Sequence, residues 1–191
     1  LVAEPEPASP GYELGVWGQA CHEEGLARSM LALSSLGEAC AGTACAIHAQ
    51  GLACLALNGQ MHLPPAAWLA AAFSPNYGVP LSARLGSEGS GLRLTKVGGV
   101  LELNGTSHFL LAPDRPGQLV CFALQPAADQ IVLVIHSNAP GVELTEVTHR
   151  TGLRAAKQYH LACNHVVVSA DQVVREGEAA LRSLQRVMAC D

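Results

Sequence analysis

The sequence predicts an α+β fold: an N-terminal helical domain over residues 1–74, a small antiparallel β-barrel or sandwich over 75–170, and one C-terminal helix over 171–191. Three observations predict it. Residues 14 to 57 place Leu, Ala, Cys and Met at approximate helical spacing. Past residue 90 the pattern shifts to short β-prone runs, punctuated by Gly98-Gly99 and Asn104-Gly105. After Ser169 the helical spacing returns. Helices, then strands, then one helix is the order of an α+β chain.

The elements follow in turn. Residues 1 to 12, with Pro5, Pro7, Pro10 and Gly11, read as an extended lead-in. Leu14, Trp17, Cys21, Leu26, Met30 and Leu33 predict a first helix. A break is expected at Ser34-Ser35-Leu36-Gly37. Glu38 to Leu57 then predicts a second helix, apolar all round and therefore buried on most sides. Pro64-Pro65 marks a turn, and Ala66 to Ala72 predicts one more short helix. Gly-Gly and Asn-Gly supply positive φ cheaply, so Gly98-Gly99 and Asn104-Gly105 are each expected as hairpin turns. Strands are expected around Leu92 to Lys96, Val100 to Leu103, His108 to Leu111, Leu119 to Ala123, Ile131 to His136, Val142 to Val147 and His160 to Val168. Asp171 to Met188 predicts the final helix, with Ser169 or Asp171 as its N-cap.

Composition narrows the function classes. Only 14% of residues are charged and 49% are apolar, which is globular rather than disordered. A net charge of -5 argues against a nucleic-acid partner, since phosphate binding needs clustered Lys and Arg. No apolar run is expected to reach the roughly 18 to 20 residues of a membrane span. The start lacks the basic and apolar regions of a signal peptide, and Leu1 in place of Met implies that a leader, tag or further segment precedes it. Seven cysteines, an odd number without a CxxC pair, fit free thiols in a reducing cytoplasm.

One ordered series of segments resembles a known family. Glu38-Ala39-Cys40-Ala41-Gly42-Thr43-Ala44 with Ile47-His48-Ala49-Gln50 opens it. Leu103-Asn104-Gly105 with Phe109-Leu110-Leu111 continues it, then Pro140-Gly141-Val142, Gly152-Leu153-Arg154 and Val166 to Asp171. In this order and spacing the chain resembles the acyl-CoA dehydrogenases, across most of residues 38 to 188. The resemblance implies a helical first domain, a middle β-domain and the opening helix of a C-terminal bundle that is otherwise lacking. It also implies FAD, an acyl-CoA or other acyl thioester as substrate, and a homo-oligomer or partner subunit. By the same resemblance Phe73, Ser74, Phe109, Leu110 and Leu111 are candidate cofactor-binding residues, and Arg154, Ala155 and Ala156 candidate substrate-binding residues.

Departures from the family pattern bear on activity. Where the family has a Thr-Glu-Pro loop along the flavin, this chain reads Phe73-Ser74-Pro75-Asn76-Tyr77-Gly78. Where the family has a hydroxyl that hydrogen-bonds the flavin ring, this chain has Leu111. Ala155-Ala156 replaces a common Ser, and Asp191 stands where an Arg is frequent. Removing an α-proton from a thioester needs a placed carboxylate base. It also needs donors to the thioester carbonyl. No residue of this chain is assigned as that base. Two functions are therefore expected to compete: an acyl-CoA dehydrogenase-like flavoprotein whose base comes from outside the chain, and a non-catalytic binding or assembly relative that has lost FAD.

Other constellations read as ordinary structure. His160-x-x-Cys163-x-His165 could ligate a metal, but on a regular strand 163 and 165 share one face and 160 takes the other. The Gly86-x-x-Gly89-x-Gly91 stretch lacks the strand-to-helix context of a phosphate loop. His22-Glu23-Glu24 reads as a solvated helix face, and Ser34-Ser35 and Ser74 lack the surroundings of an activated nucleophile. Asn104-Gly105-Thr106 matches a glycosylation acceptor yet reads as turn geometry.

Overall fold

The structure, a computed structural model, describes residues 23–57, 69–72, 91–126, 130–148, 152 and 154–190. Helix α1 (Glu23–Leu57) precedes strand β1 (Leu69–Ala72), and β2 (Arg93–Val97), β3 (Val100–Ala112), β4 (Gln118–Leu124) and β5 (Gln130–His136) follow. Strands β6 (Val142–Glu146), β7 (Lys157–Val168) and β8 (Val173–Glu176) lead into helix α2 (Gly177–Cys190). The α+β class is as the sequence predicts. The predicted extended lead-in, the Gly86 to Gly89 stretch and the loop at 73–78 lie outside the described residues.

The break in the helical region exists but sits elsewhere. The helix runs through Ser34 to Gly37, and the non-helical residue is Cys40, at φ -158 and ψ 99. A mid-helix glycine costs about 1 kcal/mol, which a long helix absorbs. Cys40 instead has N-cap geometry for the second half. Its Sγ accepts a hydrogen bond from the Thr43 hydroxyl at 3.2 Å, three residues on. Beyond it, Ala44, Ala46, Ile47, Leu52, Ala53, Leu55, Ala56 and Leu57 are buried, as an all-apolar helix should be. Ala27–Leu57 is long and apolar enough by composition to cross a membrane, which corrects the expectation that no run reaches that length. Of its most apolar 18-residue stretch, 61% is buried within the protein, as in the core helix of a folded domain.

Residues 69–72 correct a second expectation. Leu and Ala favour helix, yet Leu69 to Ala72 forms a strand parallel to β4, with Leu69 opposite Gln118 and Ala72 opposite Cys121. Four residues are too few to nucleate an isolated helix. The hydrogen-bonding edge of β4 supplies what local propensity cannot.

The sheet runs β6-β7-β3-β2-β4-β5-β8, with β1 paired to β4 off that path. Most pairings are antiparallel, while β1–β4 and the short β2–β4 contact are parallel. The sheet is mixed and its path does not close, so the barrel expectation gives way to an open sheet. It curls around one core: Leu94, Leu103, Leu110, Cys121, Leu133, Leu144, Tyr159 and Leu161 join a single buried cluster. Strands β4 and β5 are buried on both faces. Val120, Phe122, Val132 and Val134 point away from that core, against Leu52 to Leu57 of α1 and Ala180, Leu184 and Val187 of α2.

Gly98-Gly99 is the predicted hairpin turn, with Gly98 at φ 58 and Gly99 at φ 90 between paired Val97 and Val100. Asn104-Gly105 is not a turn. Strand β3 passes straight through it, and the two strands predicted on either side are one. Gly105, at φ 121, lies instead at a register shift between β3 and β7. A Cβ there would stand 1.9 Å from the Gly91 carbonyl oxygen, so the glycine serves a close backbone approach.

The partner bulge lies in β7. His165 is the described non-glycine residue with positive φ, at 52. The Asn104 Oδ1 accepts its backbone N–H at 2.8 Å, and its Nδ1 lies 2.8 Å from Glu102 Oε2. This bulge shifts the alternation: Cys163 and Val166 face the core while Asn164 and His165 are both exposed. Cys163 and His165 therefore take opposite faces, which corrects the shared face expected for a regular strand.

The last helix begins later than predicted. Ser169 caps a 3-10 turn at Ala170–Gln172, where Gln172 Oε1 accepts from the Ser169 backbone N–H at 2.9 Å and its hydroxyl at 3.0 Å. Val173 to Glu176 then pairs with β5, as a β-branched pair beside an open edge will. Gly177, at φ 57, turns the chain into α2.

Candidate functional site

The described candidate residues gather at one end of two neighbouring strands. Leu110 stands opposite Tyr159, Leu111 opposite Gln158, and Ala112 opposite Lys157, so Arg154-Ala155-Ala156 leads directly into the strand beside Leu111. The sequence treated these stretches as separate, and antiparallel pairing brings them together. Phe73 and Ser74 lie outside the described residues. Phe109 falls within the register shift between Ser107 and Leu110, and its side chain is likewise outside them.

Alternation divides the group between two faces. Leu110 is 1% exposed and Ala112 also points into the core of the curled sheet. Leu111 takes the outer face and is half-buried, as is Gln158 directly across from it. Directly opposed side chains on one face have their Cβ atoms about 4.5 to 5.5 Å apart. Ala156 is fully buried, while Arg154 and Ala155 are exposed. Gln158 was not singled out from sequence. Only the register, invisible in a single chain, shows that it faces Leu111.

The inner side of the same strand ends carries a charged group. Lys157 Nζ lies 2.8 Å from Asp114 Oδ1 in the β3–β4 loop and 3.9 Å from Glu146 Oε2 at the end of β6. The Lys157 hydrogen bond holds the Asp114 carboxyl below its ordinary pKa, and Asp114 in turn raises that of Lys157. Burial raises the Tyr159 phenol. In register, Lys157 stands opposite Ala112 and Glu146 opposite Tyr159, so the group lies at the ends of β3, β6 and β7. Both carboxylates are engaged with one ammonium, which makes Asp114 a weaker base than a free carboxylate.

The described cysteines are free thiols at Cys40, Cys45, Cys54, Cys121 and Cys163. Burial pushes the Cys54 thiol up to about 11 and the Cys163 thiol up to about 12, and Cys121 also rises, so these stay protonated and inert. Cys40 is exposed and its pKa is lowered, first by the Thr43 hydroxyl. Among the described residues no group of three or more His, Cys, Asp or Glu side chains could hold a metal ion.

No family model and no curated protein matches this chain. Solved structures do. Glutaryl-CoA dehydrogenase from Mycobacterium smegmatis in complex with FADH2 superposes with a TM-score of 0.72 at 18% identity, over 94% of this chain and 50% of that one. Butyryl-CoA dehydrogenase from Megasphaera elsdenii gives 0.68 at 18% identity, over 91% and 52%. The prolyl acyl carrier protein oxidase AnaB gives 0.69 at 21% identity, over 92% and 51%. The chain thus spans about half the length of the structures it matches, and at these identities the likeness is one of fold.

Proposed function

We propose that this chain, which shares its fold with acyl-CoA dehydrogenases over nearly its whole length, is a flavoprotein of that type acting on an acyl thioester. The reaction would be α,β-dehydrogenation, with the proton-abstracting carboxylate supplied by protein outside these 191 residues. The observation that carries this reading is the convergence of Leu111, Gln158 and the Arg154–Ala156 turn at adjacent strand ends. Two side chains support a flavin at this face. Leu111 offers a half-buried apolar surface, and Gln158 offers a carboxamide that holds no hydrogen bond among the described residues. Bound FAD would supply the two-electron acceptor. In this reading Phe73, Ser74, Phe109 and Leu110 belong to the cofactor's surroundings, Leu110 through its backbone, and Arg154 with its two alanines to the thioester's.

Asp114 and Glu146 are the nearest carboxylates at the strand ends, and both are held by Lys157. The hydrogen bond from Lys157 makes Asp114 a weaker base, and the proton-abstracting role is assigned elsewhere. Free thiols support a cytoplasmic setting. Exposed Met30 and Leu31, at 40% and 71% exposure, support a homo-oligomeric or partner-bound state.

A second reading rests on the side chains that replace donors. Leu111, Ala155 and Ala156 carry no polar group, so the same surface would suit an acyl-binding or assembly subunit without FAD. Titrating the purified chain with FAD and with acyl-CoAs while following thermal unfolding separates the two, because a native-state ligand raises apparent stability. A flavin spectrum and an FAD-dependent rise support the flavoprotein. A rise with acyl-CoA alone supports the second reading, and no response to either overturns both.

A further inference from the structure

The geometry points to Gln158 as the residue that hydrogen-bonds the polar edge of the flavin, an assignment that rests on the flavoprotein reading above. Leu111 has no donor or acceptor in its side chain, so any polar contact on this face must come from a neighbour. Gln158 is its direct cross-strand partner in β7. The two side chains share the outer face, because Leu110 and Tyr159, the adjacent pair in the register, both point into the core.

The nearby polar groups are already engaged. Lys157 is held by Asp114 and Glu146, and His160, two residues along the same face, has a partner. The Gln158 backbone carbonyl accepts from Val147 N–H at 2.9 Å. Its carboxamide makes no hydrogen bond among the described residues, though the residue is half-buried. An amide with no protein partner is open to a ligand, and the pair it forms there gains strength as the ligand excludes water.

The chemistry of the amide selects the ligand edge. A primary carboxamide presents one acceptor and two donors side by side. The pyrimidine edge of a flavin presents an N3–H donor flanked by two carbonyl acceptors. The two patterns are complementary, and a bidentate pair would fix the orientation of the ring as well as its affinity. An apolar residue at 111 then packs against the ring without competing for its heteroatoms.

The test compares FAD with 3-methyl-FAD, which lacks the N3–H donor, on the wild-type chain and on Gln158→Leu and Gln158→Thr. The wild type should bind FAD about tenfold more tightly than 3-methyl-FAD, and Gln158→Leu should bind FAD about tenfold more weakly while losing that discrimination. Melting of the ligand-free variants should match the wild type. Equal FAD affinity in wild type and variants, or no discrimination by the wild type, overturns the assignment and leaves the flavoprotein reading standing. A wild type that takes up no FAD overturns the reading and the assignment together. Because the wild type is itself compared with two ligands, a variant that fails to fold does not remove the test.

Discussion

Gly105 and Cys40 show how far single residues can mislead or inform. Asn104-Gly105 has the composition of a two-residue turn, and a turn is what local chemistry predicts. The structure uses the same positive φ to let β3 pass close to the Gly91 carbonyl, while Asn104 clamps the backbone of His165 across the bulge. No local property of the dipeptide separates these uses. Substituting Gly105→Ala puts a Cβ where the Gly91 oxygen stands and forces an alanine to φ 121. The expected destabilisation exceeds about 3 kcal/mol by urea unfolding, against about 1 to 2 kcal/mol for a glycine whose positive φ is its only constraint. Cys40 was legible as a small apolar residue in a helix, but its capping by Thr43 depends on a backbone break that the sequence placed at Ser34 to Gly37.

At the scale of elements, periodicity located most strands within a few residues because each must bury one face. Burial alternates along β7 until the bulge, and β4 and β5 are continuous apolar runs because helices cover their second face. The failures are short segments whose state is set by a neighbour: β1 against β4, and β8 against β5. Strand β8 also ties the helices to the sheet. Arg175 Nη2 donates to the Leu57 carbonyl at 3.4 Å, at the C-terminus of α1 where a cation also meets the helix dipole. Its Nε is buried without a partner, so the net gain is modest. Replacing Arg175→Met should cost about 1 kcal/mol in equilibrium unfolding and speed amide exchange at the last turn of α1. Unchanged exchange there would show that the hydrogen bond does not hold the helix end.

For the whole molecule, the titrating groups fix where stability should fail. Asp114 has a lowered folded pKa, so its contribution is present above its ordinary value of 3.8 and disappears as the pH falls through the folded value. Cys54 and Cys163 have raised folded values, about 11 and about 12, against an ordinary 9.0. Unfolding frees these thiols to ionise, so stability is full below 9.0 and is lost as the pH rises toward those values. Lys157 adds a loss in the same direction. Urea midpoints should therefore be flat near neutrality, fall on the alkaline side above 9.0, and fall more gently with Cys163→Ala; a variant with the same alkaline slope as the wild type would remove the thiol from that account.

By itself the sequence determined the α+β class, the Gly98-Gly99 hairpin and the family resemblance, because hydrophobic period and turn chemistry are local properties that one chain displays. Tertiary structure alone decided that residues 69–72 join the sheet, that Asn104-Gly105 is a bulge, that the sheet stays open, and that Leu111 faces Gln158. Each of these depends on which strand lies beside which, and in what register. Hydrogen bonds between strands distant in sequence set that register, and a one-residue slip would turn every side chain to the other face.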